Sequence, residues 1–362
     1  MRFFIPTKIY AERGAVINHS AELAALGKRA FIVTGKSSSR KNGSLSDVTD
    51  ALFSQGREYL IFDNVEENPS VETVMTASMQ AAEFGADFVI GIGGGSPMDA
   101  AKAIAVMAAN MDKGESYLFE NDPDAKVLPV AEVPTTCGTG SEATAVAVLT
   151  QHKKRTKGSM AHRVFPVLSL CDPGYLASAP KSVITATAID AFGHLTESLI
   201  NTASTDYSRI FAEQGLKLWA QSKAVLMGER EPEEGDYLKL LNASTVAGMA
   251  IAHTGTGIPH GLSYTLTYEA GIPHGIAVGY FLEGYIALAE EKDRRAVLDL
   301  SGFGLPEEFG AFFRQVCSVG GADRELLSLA AENLMHNPAK LRSCPYTVDE
   351  KIIEEICRRA EL

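Results

Sequence analysis

The sequence predicts an α/β first half built on a parallel sheet, followed by an all-α second half. Through roughly the first 180 residues, short apolar β-branched runs alternate with helix-length segments, the pattern of βαβ units. Beyond that point strand-like runs stop and long Ala/Leu-rich stretches take over. Size agrees, because 362 residues at about 150 per domain make two domains, each long enough to bury a core. The pattern changes between Pro173 and Pro180, which sets the expected domains at 1–178 and 179–362. No low-complexity linker separates them.

Taken in order, residues 30–34 (AFIVT) read as a strand that ends at Gly35. A polar Ser/Lys/Arg loop follows, then a helix through 48–53. Residues 59–62 form the next expected strand and 71–84 an Ala/Met-rich helix. A third strand at 88–92 leads into a third helix at 100–109, and a further apolar run occupies 127–133. In the second half, 185–200, 208–226, 237–252 and 325–334 carry helical patterns.

Composition narrows the function classes. Hydrophobic residues at 46% and charged residues at 22% are ordinary globular usage, which excludes disordered and disulfide-scaffold chains. A formal net charge of −12 argues against nucleic acid and anionic membrane surfaces as partners. No apolar run is long enough to span a bilayer, and the N-terminal patch lacks a signal-peptide core. The five cysteines are scattered without a C-x-x-C pair, which predicts reduced thiols and a cytoplasmic location.

The third strand runs into Gly93-Gly94-Gly95-Ser96-Pro97-Met98-Asp99. Ser96 stands where an N-cap belongs, Pro97 at the first helical position, and Asp99 at the capping-box position. Consecutive glycines let a bulky anion approach the backbone, and the amides opening a helix can bind it, so a pyrophosphate is the expected ligand. The same residues also make a tight turn before a capped helix. A second loop, from Pro134 through Thr135, Thr136, Cys137 and Thr139 to Glu142, clusters hydroxyls and glycines at another strand end. Alone it is only a polar loop. Cys137 has no histidine near it in sequence and reads as a small lining residue.

Four histidines and one carboxylate stand out in the second half. Asp190 and His194 are four apart in a helical run, which places them on one face with Cβ atoms about 5–6 Å apart. His260 and His274 each follow a proline and precede a glycine, within a small repeat of Gly-Ile-Pro-His-Gly that suggests helix starts. One carboxylate and three imidazoles suit Fe²⁺ or Zn²⁺, with Glu197 one turn beyond His194 as an orienting partner. Satisfied core or capping histidines would give the same pattern. His253 sits outside the repeat, and His19, His152, His162 and His336 read as surface or packing residues.

Together these motifs resemble the iron-containing (group III) alcohol dehydrogenases of the dehydroquinate synthase-like superfamily. Gly93-Gly94-Gly95-Ser96-x-x-Asp99-x-x-Lys102 matches the family's cofactor-phosphate loop, and Pro134 to Glu142 its second cofactor segment. Asp172-Pro173, Asp190-x-x-x-His194, His260 and Pro273-His274-Gly275 follow in the family's order. The resemblance covers nearly the whole chain. It implies a nucleotide-binding α/β domain and a helical metal-binding domain with the active site in the cleft between them. It further implies Asp190, His194, His260 and His274 as metal ligands. Gly94, Gly95, Ser96, Thr135, Thr136 and Thr139 are implied cofactor contacts, with Gly93 in the same loop, Asp99 beside them at the helix start, and Lys157 as the cofactor-side lysine. The implied activity is reversible hydride transfer between a nicotinamide and a small alcohol or carbonyl in a homo-oligomer.

Two departures from the family pattern bear on chemistry. Where the family has His-x-x-x-His, this chain reads His260-Gly-Leu-Ser-Tyr264, so Tyr264 takes the place credited with proton relay. A phenol can pass a proton by hydrogen bonding, but with a reference pKa of about 10 it is a poor base near neutrality. NAD-preferring relatives carry an acidic residue after the first strand; here Gly35-Lys36-Ser37-Ser38-Ser39-Arg40-Lys41 offers serines and cations instead. Gly35 and Ser37 are therefore expected at the cofactor ribose, with NADP(H) favoured over NAD(H). Alternatives on the same scaffold are a zinc-dependent polyol oxidoreductase of the glycerol dehydrogenase type, a sugar-phosphate lyase, and a relative that binds metal and nucleotide without turnover.

Overall fold

The computed structural model describes residues 3–361. Its strands are β1 (Lys8–Ala11), β2 (Arg29–Thr34), β3 (Glu58–Phe62), β4 (Phe88–Gly93), β5 (Val130–Pro134), β6 (Val148–Gln151), β7 (Thr156–Ser159) and β8 (Leu168–Cys171). Six of them form one parallel sheet in the order β1-β8-β5-β4-β2-β3, and β6 and β7 form an antiparallel hairpin. Contacts divide the chain into two units. The first holds Phe4–Thr136 and Ser141–Ala179; the second holds Phe3, Cys137–Gly140 and the described residues from Pro180 onward.

In the first unit, burial on both faces explains the unbroken apolar runs of the central strands. Along β2, Phe31 and Val33 pack with Val74, Ala77 and Ile104, whereas Ala30 and Ile32 pack with Val16, Leu23, Val48 and Leu52. Each fully buried Phe, Ile or Val contributes about 1.5–3 kcal/mol of transfer free energy. Strand order reverses at β2, because β3 lies outside it and β4 returns to its other side. Ligands of open α/β sheets settle beyond the strands' carboxyl ends at such a reversal. The register pairs Gly93 with Pro134, so the loops leaving β4 and β5 start side by side. Gly93 has φ +146°, and a Cβ there would lie 2.4 Å from Pro97 Cγ. Only glycine fits.

The regular elements of the second unit's described residues are helices, which include Lys181–Leu199, Asp206–Ala220, Glu234–Thr254, Ile258–Ala270 and His274–Leu288. Phe192, Trp219 and Phe309 fill its core: Phe192 stacks on Phe309 at 4.5 Å, and Trp219 Nε1 donates to the Ala188 carbonyl at 2.7 Å. At Gly275 a Cβ would meet the Ala186 carbonyl oxygen at 1.9 Å, so the His274–Leu288 helix can begin directly against Lys181–Leu199. No described helix is long and apolar enough to cross a membrane.

Several local expectations are corrected. Helix Gly95–Ala108 starts earlier than its apolar run, with Gly94 as the cap residue and no side-chain cap. Ser96 is therefore not the N-cap, and its hydroxyl accepts the Asn68 amide at 3.0 Å. Asp99 forms no capping box because both its oxygens are engaged elsewhere: Oδ1 accepts Ser141 Oγ at 2.6 Å and Oδ2 the Val148 amide at 2.8 Å. The 208–226 stretch divides into Asp206–Ala220 and Lys223–Met227 around a turn in which the Ser222 amide bonds the Trp219 carbonyl. Strands β1, β6, β7 and β8 were not expected, since four residues of mixed polarity carry too little periodicity to read.

Candidate functional site

Beyond β2 and β4 in the first unit, the predicted cofactor residues fall on neighbouring loops. Thr34 Oγ1 donates to the Ile92 carbonyl at 2.9 Å and ties the ends of the two strands together. Gly94, Gly95 and Ser96 open the Gly95–Ala108 helix, whose free amides suit an anion. The Thr135 amide bonds the Gly93 carbonyl at 2.8 Å, and a Cβ on Gly94 would lie 3.2 Å from Thr136 Oγ1. Thr135 is buried, whereas Thr136 is half-buried and more accessible. Gly35 follows β2, and Ser37 is exposed before the short helix Ser38–Lys41. Arg40 there pairs with Asp63 at 2.8 Å. Lys157 on β7 donates to Asn68 Oδ1.

Asn68 escaped the sequence reading. It stands at φ 59°, its amide on Ser96 and its carbonyl accepting Thr150 Oγ1 at 2.8 Å, so it joins two of the predicted cofactor positions. The Asn-Pro dipeptide marked a turn but not this bridge.

Beneath these loops lies a buried ionic group. Lys102 and Glu132 are fully buried, with Nζ 3.7 Å from Glu132 Oε1. Lys102 also donates to the carbonyl and hydroxyl of Ser141, both at 2.7 Å, and to the Val146 carbonyl at 3.1 Å. With Asp99 on Ser141 and Val148, two turns of one helix grip the segment that follows the hydroxyl loop. Neither Glu132 oxygen has a hydrogen bond. Burial pushes its carboxyl up to about 8 against the pull of Lys102.

In the second unit, three predicted ligands converge. Asp190 and His194 sit one turn apart on Lys181–Leu199, His260 lies in the first turn of Ile258–Ala270, and His274 is the first residue of His274–Leu288. Asp190 Oδ1 lies 3.5 Å from His260 Nε2 and 3.7 Å from His274 Nε2. One donor atom from each of the three fits within a 4.8 Å span. Ligands about 2.1 Å from a tetrahedral ion stand about 3.4 Å apart, so the spacing fits a cation. Asp190 Oδ1 and His260 Nε2 are buried without a hydrogen bond, an arrangement that is costly unless an ion satisfies both.

His194 lies beside this set. Its ring stacks on His260 with centroids 4.5 Å apart, and its Nδ1 is 3.1 Å from the Gly138 carbonyl. With the proton on Nδ1, Nε2 is left as a donor to metal. Glu197 accepts the His260 and Gly257 amides at 3.2 and 2.8 Å, and its other oxygen bonds His260 Nδ1. Burial opposes ionisation of Asp190, yet the imidazoles of His194, His274 and His260 hold its carboxyl well below the usual range. Tyr264, one turn after His260, lies near-parallel to the His274 ring at 6.3 Å. Cys137 is buried with Sγ 3.3 Å from Thr187 Oγ1, and burial pushes its thiol up to about 11, which suits a lining residue and not a nucleophile. His253 stacks on Phe3 at 4.9 Å, and His162 is buried against the Tyr117 carbonyl at 2.7 Å.

Comparison with known proteins places the chain in a family. Residues 6–173 match the family model described as iron-containing alcohol dehydrogenase, and residues 184–303 match that of the Fe-containing alcohol dehydrogenase family, C-terminal. An iron-containing alcohol dehydrogenase from Thermotoga maritima superposes with a TM-score of 0.91 at 35% identity, covering 99% of each chain. An NAD-dependent methanol dehydrogenase from Bacillus methanolicus is 30% identical over 76% of this chain and 72% of its own. An NADPH-dependent butanol dehydrogenase from Clostridium saccharobutylicum is 27% identical over 98% and 88%. The chain belongs to the iron-containing alcohol dehydrogenase family, which implies a metal and a nicotinamide cofactor.

Proposed function

We propose that the protein is a metal-dependent alcohol dehydrogenase and aldehyde reductase, moving a hydride reversibly between NADP(H) and a small alcohol or carbonyl. The observation that carries this reading is the convergence of Asp190, His260 and His274 with two buried donor atoms lacking hydrogen bonds. A divalent cation, Fe²⁺ or Zn²⁺, held by Asp190, His194, His260 and His274 supplies Lewis acidity at the substrate oxygen, and the nicotinamide supplies the hydride acceptor or donor. In oxidation the alcohol gives up a hydride from carbon and a proton from oxygen; aldehyde reduction reverses that balance.

The chain's own residues orient and exchange. Glu197 holds Nδ1 of His260 so that Nε2 faces the donor cluster, and the Gly138 carbonyl sets His194 in the same way. Tyr264 carries the proton by hydrogen-bond exchange beside His274. Gly35, Ser37, Gly93, Gly94, Gly95 and Ser96 hold the dinucleotide with Thr135, Thr136, Thr139 and Lys157, while Asp99 positions the second loop. NADP(H) is favoured because no carboxylate stands at 35–41, where Lys36 and Lys41 form no ion pair among the described residues. The oligomer expected is a homo-oligomer.

The test is NADPH and NADH oxidation by anaerobically Fe²⁺-loaded enzyme across short aldehydes and ketones. Metal-dependent turnover with higher kcat/KM for NADPH is expected. A clear NADH preference would overturn the cofactor assignment, and turnover without metal would overturn the Lewis-acid role.

A further inference from the structure

We propose that Lys340 forms an anion-reading subsite beside the donor cluster, so that the preferred substrate is a short aldehyde or alcohol bearing a carboxylate or phosphonate group. The inference rests on the oxidoreductase reading above and adds its substrate class.

Lys340 belongs to the short helix Pro338–Leu341, and its stem lies over Gly261, the residue after His260. A Cβ on Gly261 would come within 3.3 Å of Lys340 Cγ and 3.4 Å of its Cβ, so the bare glycine makes room for the lysine. Lys340 Nζ donates to the Thr256 carbonyl at 3.1 Å and to the Thr256 hydroxyl. The same nitrogen stands 5.6 Å from the centroid of Tyr264, whose ring lies beside His274. The ammonium is thus one aromatic ring removed from a candidate metal ligand.

Its hydrogen-bond partners are neutral; the carboxylate whose charge it feels, Glu197, is already engaged by Gly257 and His260. An ammonium has three N–H donors, and two are used on Thr256. No carboxylate lies within ion-pair distance of Lys340 among the described residues, whereas Lys8 and Lys153 pair with Glu22 and Glu115. Half-burial of a cation with no carboxylate in direct contact is unfavourable, and the face of one phenol offsets only part of that cost. A substrate anion would supply a direct ion pair and accept the third N–H. Thr256 holds the side chain in place beforehand, so little freedom is lost on binding.

The experiment compares succinic semialdehyde and phosphonoacetaldehyde with butanal, using metal-loaded enzyme with cofactor. Wild type should favour an anionic aldehyde over butanal by about 10- to 100-fold in kcat/KM. Whichever anion shows the preference identifies the group that is read. Lys340→Met should remove the preference through KM for the anion while leaving butanal unchanged, and Lys340→Arg should retain it. In wild type, KM for the anionic substrate should rise with ionic strength, and in Lys340→Met it should not. Equal losses on charged and neutral substrates, or a wild-type preference for butanal, would overturn the subsite while leaving the oxidoreductase reading intact. Absence of turnover on all three would overturn that reading and the subsite with it.

Discussion

Glu197 makes three hydrogen bonds at once: its carboxylate takes the ring Nδ1 and the backbone amide of His260, together with the amide of Gly257. A ligating imidazole fixed in this manner keeps one tautomer and one direction. Glu197→Gln should therefore weaken metal binding by about 10- to 100-fold in competition with a chelator. An unchanged affinity would remove Glu197 from the account. Tyr264→Phe tests the relay, since the phenyl ring keeps the packing on His274 and loses the hydroxyl. Its kcat should fall about tenfold or more with metal content unchanged, as expected when a proton-transfer group is removed. Full activity would show that the proton reaches solvent by another route.

The helix Gly95–Ala108 has two parts along its length. Its first residues belong to the glycine loop proposed to take the cofactor phosphates, and one turn further on Asp99 and Lys102 hold Ser141–Val148. Lys102→Met should raise KM for the dinucleotide more than it lowers kcat at saturating cofactor, because the second loop loses its anchor. A fall in kcat alone would place the effect elsewhere. Glu132 adds a pH signature. Its carboxyl, facing Lys102, Asp99 and Glu142, is raised by burial to about 8, so between about pH 5 and pH 8 the folded chain binds more protons than the unfolded one. Stability from this group is present at low pH and declines as pH rises through about 8. Glu132→Gln should thus melt near the wild-type temperature at pH 5 and above it at pH 9. A variant that is less stable at pH 9 would contradict this sign. Regular elements buried on one face or both were readable, as in residues 30–34, 88–92 and 185–200. The cap of Gly95–Ala108 was not, because Ser96 and Asp99 took partners 28 and 42 residues away.

Across the molecule, the change from strand–helix alternation to continuous helix was legible because it depends on period and length. The candidate ligand cluster was legible in part. Asp190 and His194 share a helix and announce themselves by spacing, while His260 and His274 were readable through their repeated Pro-His-Gly context. What remained hidden depends on tertiary contacts: Asn68 joining Ser96 to Lys157, the Lys102–Glu132 pair, and Lys340 over Gly261. In this scheme turnover depends on a metal held by Asp190 and the histidines around it. Metal content per chain, measured alongside aldehyde-dependent NAD(P)H oxidation in wild type and in His260→Ala, addresses it most directly. Wild type should carry metal and turn over, and His260→Ala should lose both while still binding the dinucleotide. Turnover that persists in a metal-free His260→Ala protein would contradict the account.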